Sequence, residues 1–174
     1  MGLSVASCSD DDSDKPQQIE IKKGVIYDIN TQYISGKGEA FNYSPISGDW
    51  PSFCGFMIDD NGVTEFQRGQ PGGYAPGKYG RVTTKDYTYN PLTGELRYKV
   101  GSFWALDCLH ETVLTLKVNE KGELYQKSNY GILPLGFPDT LSETEADPDS
   151  YQLDTFIPLP AEKAAEWMER FPQY

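Results

Sequence analysis

Hydrophobic and polar residues alternate through much of this chain with a period of two, the spacing that puts successive side chains on opposite faces of a strand. Ile19-Glu20-Ile21-Lys22 alternates in this way, and Gly24-Val25-Ile26-Tyr27-Asp28-Ile29 reads as a strand after it. Phe53-Cys54-Gly55-Phe56-Met57-Ile58 is a short apolar run that ends in Asp59-Asp60-Asn61-Gly62, and Val63-Thr64-Glu65-Phe66 resumes the pattern. Asn-Gly between two such runs predicts a hairpin, because both residues tolerate the positive φ of a type I′ turn. A Gly/Pro-rich loop occupies 69–77. The clearest hairpin is 87–100, where Pro91 presets φ for a turn and Gly94 suits the left-handed position of a bulge. Its pattern puts Tyr87 and Tyr89 on one face with Leu96, Tyr98 and Val100, and turns Glu95, Arg97 and Lys99 to water. A third hairpin joins 112–118 to 123–125 through Asn119-Glu120-Lys121-Gly122.

The spacing changes once. Pro160 opens a helix over about 160–171, where Ala164, Trp167, Met168 and Phe171 fall at i, i+3, i+4 and i+7. Residues 131–158, rich in Gly, Pro and acids, read as a long loop, and there is no internal repeat. Strands at this spacing with no helix between them predict an all-β fold, an antiparallel meander closed into a barrel or folded as a β-sandwich. The helix then lies outside the sheet or closes one end of the barrel. Residues 19–174 form a single β domain on this reading, a size that suits one hydrophobic core. Residues 1–18 form a disordered acidic tether.

Charge sharpens the picture at the N-terminus. Of the net charge of −11, four negatives, Asp10, Asp11, Asp12 and Asp14, sit before residue 18. Six more (Asp139, Glu143, Glu145, Asp147, Asp149, Asp154) lie in a stretch without Lys or Arg. An acidic body with dispersed basic residues excludes nucleic acid as a partner, since that needs a clustered positive footprint. No stretch approaches the ~18–20 apolar residues of a membrane-spanning helix. Membrane contact is left to a covalent anchor or a surface.

Val5-Ala6-Ser7-Cys8 resembles the lipobox of bacterial lipoproteins, an aliphatic residue and two small ones before a Cys. The run Ser9-Asp10-Asp11-Asp12-Ser13-Asp14 resembles the acidic signal that sends many Bacteroides-type lipoproteins to the cell surface. The resemblance implies a lipid anchor on Cys8 and an outer-membrane, surface-exposed location. Two or three acyl chains hold such an anchor durably, whereas one alone is marginal. Seven residues precede Cys8, fewer than a signal peptide needs, so Met1-Gly2-Leu3-Ser4 is read as the remnant of a longer leader. Within the body, the D-D-N-G turn, the Y-T-Y-N-P-L-T-G-E-L hairpin and the T-V-L-T-L-K-V-N-E-K-G-E-L hairpin, over 59–125, resemble lipocalin-like domains of such lipoproteins. That likeness implies a lipocalin-like barrel. Gly48-Asp49-Trp50 matches the short G-x-W of lipocalins, but Pro51 would break the ladder there, and the match is set aside.

Candidate chemistry is thin. Cys54 and Cys108 sit in apolar, strand-like runs; in an oxidising compartment they either bridge, closing a loop of about 55 residues worth roughly 4 kcal/mol, or pack as small hydrophobes. His110 is the only histidine. With Asp107 and Glu111 it lacks a usual zinc spacing, and no Ser lies in a nucleophile-elbow motif. Asp59-Asp60-Asn61 and Asp147-Pro148-Asp149-Ser150 lack the alternating ligands of an EF-hand loop. No catalytic residue, metal or cofactor is assigned. The candidate ligand-binding residues are the aromatics Tyr74, Tyr79, Tyr87, Tyr89, Tyr98 and Trp104, which offer an apolar face and a polar handle; aromatics also simply favour strands. The expectation is a non-catalytic binding domain for a small apolar molecule or a glycan, held in the interior or at the rim. A structural accessory lipoprotein that docks on an outer-membrane protein is the alternative, and a hydrolase the third.

Overall fold

Alternating residues settle into strands where one face can be buried and a turn allows the chain to reverse. The computed structural model describes residues 18–34, 36, 38, 40–41, 52–69, 75–129, 149 and 151–174. Cys8 and the acidic leader, Gly48-Asp49-Trp50, Tyr74 and 131–148 lie outside them. The strands are β1 (Ile26–Ile34), β2 (Ala40–Phe41), β3 (Ser52–Asp59), β4 (Gly62–Arg68), β5 (Tyr79–Thr84), β6 (Tyr87–Asn90), β7 (Glu95–Ser102), β8 (Ala105–Thr115), β9 (Lys117–Val118), β10 (Leu124–Asn129) and β11 (Tyr151–Pro158). One helix, α1 (Ala161–Arg170), follows, with Pro160 at its N-cap.

Two antiparallel sheets result. The larger runs β5-β4-β3-β1-β11-β10-β9 with β2 beside β1, and the smaller runs β6-β7-β8. Neither order returns on itself, so the expected barrel does not close, and the architecture is β-sandwich-like. The chain leaves the large sheet after β5 and comes back at Leu116, whose N–H donates to the Gly94 carbonyl at 2.9 Å. This crossing divides the expected strand 112–118: β8 belongs to the small sheet, whereas β9 pairs with β10 in the large one.

Between the sheets lies a filled core. Leu96, Tyr98, Val100 and Leu114 of the small sheet pack with Phe56, Val63, Val82, Leu124 and Phe156 of the large one. The 87–100 hairpin has the expected faces, with Tyr87 opposite Tyr98 and Tyr89 opposite Leu96. Gly94, the last residue of the 91–94 turn, has φ 71, a conformation that glycine adopts freely. A second core forms outside the large sheet. There Trp167 and Ala164 of α1, with Phe171, cover Ile26 and Phe66, and the Phe66 ring meets Trp167 and Phe171 edge-on at 5.4 Å each. Met168, expected on this stripe, is instead exposed.

Several elements differ from the sequence expectation. β11 stands where a loop was expected and is central, between β1 and β10. Residues 19–22 form no strand; Ile19 N–H donates to the Pro91 carbonyl at 2.8 Å, and Ile19 and Ile21 pack against the main core. The 59–62 turn is not type I′, since Ala75 is the one non-glycine at positive φ among the described residues. Asp60 and Asn61 form the turn, the Asp59 carboxylate accepts from Asn61 N–H at 2.7 Å, and Gly62 alone takes positive φ (125). A Cβ on Gly62 would lie 2.0 Å from the Thr84 carbonyl oxygen.

Candidate functional site

The aromatic candidates separate. Tyr98 is 1% exposed in the main core, and Tyr87, Tyr89 and Trp104 pack against that core. The Tyr89 hydroxyl donates to the Ile19 carbonyl, and burial raises its pKa. The Trp104 ring meets Phe103 edge-on at 4.8 Å. These four contribute to core packing in this fold. Tyr74 lies outside the described residues. Tyr79 lines a cleft.

Cys54 and Cys108 form no disulfide. They stand on β3 and β8, in different sheets, and Cys108 is exposed. Burial pushes the Cys54 thiol up to about 11, with the Asp28 and Glu65 carboxylates adding to the shift and the Arg68 and Arg170 guanidiniums opposing it. A thiol so raised is not a nucleophile at neutral pH, since the thiolate is the reactive form. Among the described residues no three His, Cys, Asp or Glu side chains converge as a metal site.

A buried polar cluster surrounds Glu65 of β4, which is 2% exposed. Its Oε2 accepts from the Tyr98 hydroxyl at 2.7 Å and from Thr112 Oγ1 at 3.2 Å. Its Oε1 accepts from Gln67 Nε2 at 2.9 Å and lies 3.2 Å from His110 Nε2. Gln67 also reaches the Gly101 carbonyl at 3.0 Å and accepts from Phe103 N–H at 2.8 Å. A carboxylate accepts at about four positions, and here all are filled. The cluster ties β4 to β7 and β8 across the sandwich. The arrangement fixes the pairing of the two sheets. Burial, and then the Glu65 charge, raise the Tyr98 hydroxyl well above its ordinary value.

A cleft of ≈410 Å³ opens elsewhere, where the large sheet splits. β1 pairs with β3 only through Ile26–Met57, Tyr27–Phe56 and Asp28–Gly55. A bulge between Phe53 and Gly55 then shifts the register of β3, as bulges do where a strand must bend away. Beyond it Ile29, Thr31 and Tyr33 of β1 stand across the cleft from Phe53 and Cys54 of β3. Arg68 and Tyr79, cross-strand partners at the ends of β4 and β5, form another wall. The end of α1 supplies Trp167, Arg170 and Phe171.

Two polar features mark this cleft. Asp154 of β11, 1% exposed, accepts from Thr31 Oγ1 at 2.6 Å, from Gln126 Nε2 at 2.9 Å and from Gln152 Nε2 at 2.7 and 2.8 Å. It thereby orients Thr31 and Gln152, both cleft residues. The Arg170 guanidinium lies over the Tyr79 ring, 4.0 Å from its centroid, and donates to the Tyr79 hydroxyl. Asp28, the one carboxylate lining the cleft among the described residues, has its pKa raised by burial, partly offset by the Ile29 N–H. Sequence reading missed Tyr33, Arg68, Trp167 and Arg170 as site residues. Trp167 was legible only as part of the helix stripe, and nothing local marks the other three, which meet through strand pairing.

Comparison with family models, with curated proteins and with solved structures finds no match. Function is therefore read from the site itself.

Proposed function

We propose that this chain is a non-catalytic binding domain, held at the outer-membrane surface by a lipid anchor on Cys8, and that it captures a glycan in the cleft between β1 and β3. The observation that carries this reading is the lining: Tyr33, Tyr79 and Trp167 offer ring surface, while Thr31, Gln152, Asp28 and Arg68 offer hydrogen bonds beside it. Mixed aromatic and polar walls suit a sugar, which presents C–H faces and hydroxyl edges, better than a wholly apolar molecule. Among the described residues Asp28 is the one carboxylate lining the cleft, whereas hydrolysis between paired carboxylates requires two. The lipobox-like Val5-Ala6-Ser7-Cys8 and the acidic run after it support the anchor.

An oligosaccharide array followed by calorimetric titration tests the reading. Tyr33→Ala is expected to weaken a glycan found this way by about three- to tenfold, the worth of one ring contact, while melting like the parent. Failure to bind any oligosaccharide, or binding unchanged by Tyr33→Ala, would overturn it. The anchor is tested separately by mass spectrometry of the mature N-terminus in its host, where a lipid-modified Cys8 is expected and an unmodified thiol with residues 1–7 retained refutes it.

The docking alternative has one observation of its own. Leu106 and Leu109 are 49% and 64% exposed and line a second hollow of ≈250 Å³ with Val82, Lys99 and Tyr174. A photo-cross-linker placed at position 109 would join an outer-membrane protein seated there to this chain.

A further inference from the structure

We propose that the glycan is acidic and that Arg68, with Arg170 beside it, clamps a sugar carboxylate; the inference rests on the glycan-binding reading and narrows it. The chain as a whole is strongly acidic, at −11, yet among the described residues its cleft is lined by two guanidiniums and one carboxylate. A neutral sugar gives no reason for that inversion. Ion pairing does not use the charges up either. Arg97 is paired with Glu95 and Glu111, Lys23 with Asp60 and Lys163 with Glu166, but among the described residues neither Arg68 nor Arg170 has an acidic partner.

The two arginines are held differently. Arg170, in the last turn of α1, is stacked on the Tyr79 ring and bonded to its hydroxyl, which fixes its plane. Arg68 ends β4 directly opposite Tyr79 in the ladder and makes no side-chain hydrogen bond among the described residues. A guanidinium presents a planar fork that matches a carboxylate with two parallel N–H···O bonds. Arg68 therefore supplies the fork, and Arg170 adds a fixed second charge on the same wall. The carboxylate of a uronic acid meets both, while the sugar ring lies toward Tyr33 and its hydroxyls reach Thr31 and Gln152.

The test titrates the full chain with tetramers of galacturonate, glucuronate and mannuronate, with the same tetramers after carboxyl reduction to the neutral sugars, and with dodecanoate. At least one uronate series is expected to bind, its reduced form about tenfold to a hundredfold more weakly, the range for losing one charge-assisted hydrogen-bonded pair. Raising salt should weaken the uronate complex and leave the neutral one unchanged. Arg68→Ala should lose the same factor for uronate only, and Arg68→Lys should recover part of it, keeping the charge without the fork. Equal binding of uronate and reduced forms, or uronate binding indifferent to Arg68→Ala, overturns the acidic-ligand inference and leaves the glycan reading standing. Binding of dodecanoate alone overturns both, as does binding of no sugar.

Discussion

Replacing Tyr98 tests whether the sandwich is held by a packed, hydrogen-bonded centre. The side chain is 1% exposed among Leu96, Val100, Phe103 and Leu114, and its hydroxyl donates to Glu65 at 2.7 Å. Tyr98→Ala removes the ring and leaves a cavity, and large aromatic truncations of this kind cost about 3–5 kcal/mol. Tyr98→Phe keeps the ring and removes only the hydroxyl. One acceptor position on the buried Glu65 carboxylate is then unfilled, a loss of about 1.5–3 kcal/mol for a hydrogen bond to a charged group. The neighbouring Arg97→Ala breaks contacts to Glu111 at 3.0 Å and Glu95 at 3.5 Å on the half-exposed outer face, which amounts to about 0–1 kcal/mol. Urea melts should therefore find Tyr98→Ala the least stable of the three, Tyr98→Phe intermediate and Arg97→Ala closest to the parent, with unchanged m-values. For a domain of this size the Tyr98→Ala midpoint should fall by roughly 6–20 °C in a thermal scan. Equal, small effects from Tyr98→Ala and Arg97→Ala would refute the face assignment of the whole hairpin, because a one-residue slip exchanges the two faces.

Asp28 has a folded-state pKa raised by burial, so its contribution to stability is greatest below the ordinary value of 3.8 and is lost as pH rises through the folded value. Asp28→Asn should accordingly melt above the parent at neutral pH and approach it below pH 3.8; an equal gain at both ends would show that charge burial is not the cause. With Cys8 replaced by Ser, a thiol reagent at about pH 8 should modify Cys108 rapidly and Cys54 only on unfolding, since one is exposed and the other is raised to about 11. Finding no reactive thiol in the folded chain would refute the reduced state of the pair.

What the sequence reveals is what short-range physics decides. The 87–100 hairpin was legible because the turn chemistry of Pro91 and Gly94 agrees with the alternation on both sides. The helix was legible from Ala164, Trp167 and Phe171, although Met168 shows that a stripe marks more residues than the neighbour covers. β11 was hidden because it carries Gln152 and Asp154 beside Phe156; periodicity counts apolar residues, and a satisfied buried carboxylate looks like a loop acid. The run 112–118 looked continuous because both halves alternate, while the break at Leu116 depends on its bond to Gly94, a residue remote in sequence. The site was the least legible. Its arginines come from a strand end and a helix end, and only the pairing of β4 with β5 and the packing of α1 bring them together. Of the aromatics chosen from the middle third, Tyr87, Tyr89, Tyr98 and Trp104 sit where aromatics most often do, in or against a strand-rich core.

The two buried carboxylates show how this fold separates its tasks. Glu65 and Asp154 are both saturated with hydrogen bonds, but their donors come from different places. Glu65 takes donors from both sheets, Tyr98, His110 and Thr112 on one side and Gln67 on the other, so it locks one sheet onto its partner. Asp154 takes all of its donors from the large sheet, from β1, β10 and β11. It adds nothing to the joining of the sheets and instead sets the orientation of Thr31 and Gln152 at the cleft. A binding surface needs polar side chains held in fixed rotamers so that their ordering is not charged against the ligand. Placing that task on a second carboxylate, within the sheet that carries the cleft, lets the wall remain open between β1 and β3 while the sandwich is closed by Glu65. On the binding function proposed above, the split in the ladder after Asp28 is where pairing gives way to the cleft, apart from the network that keeps the two sheets together.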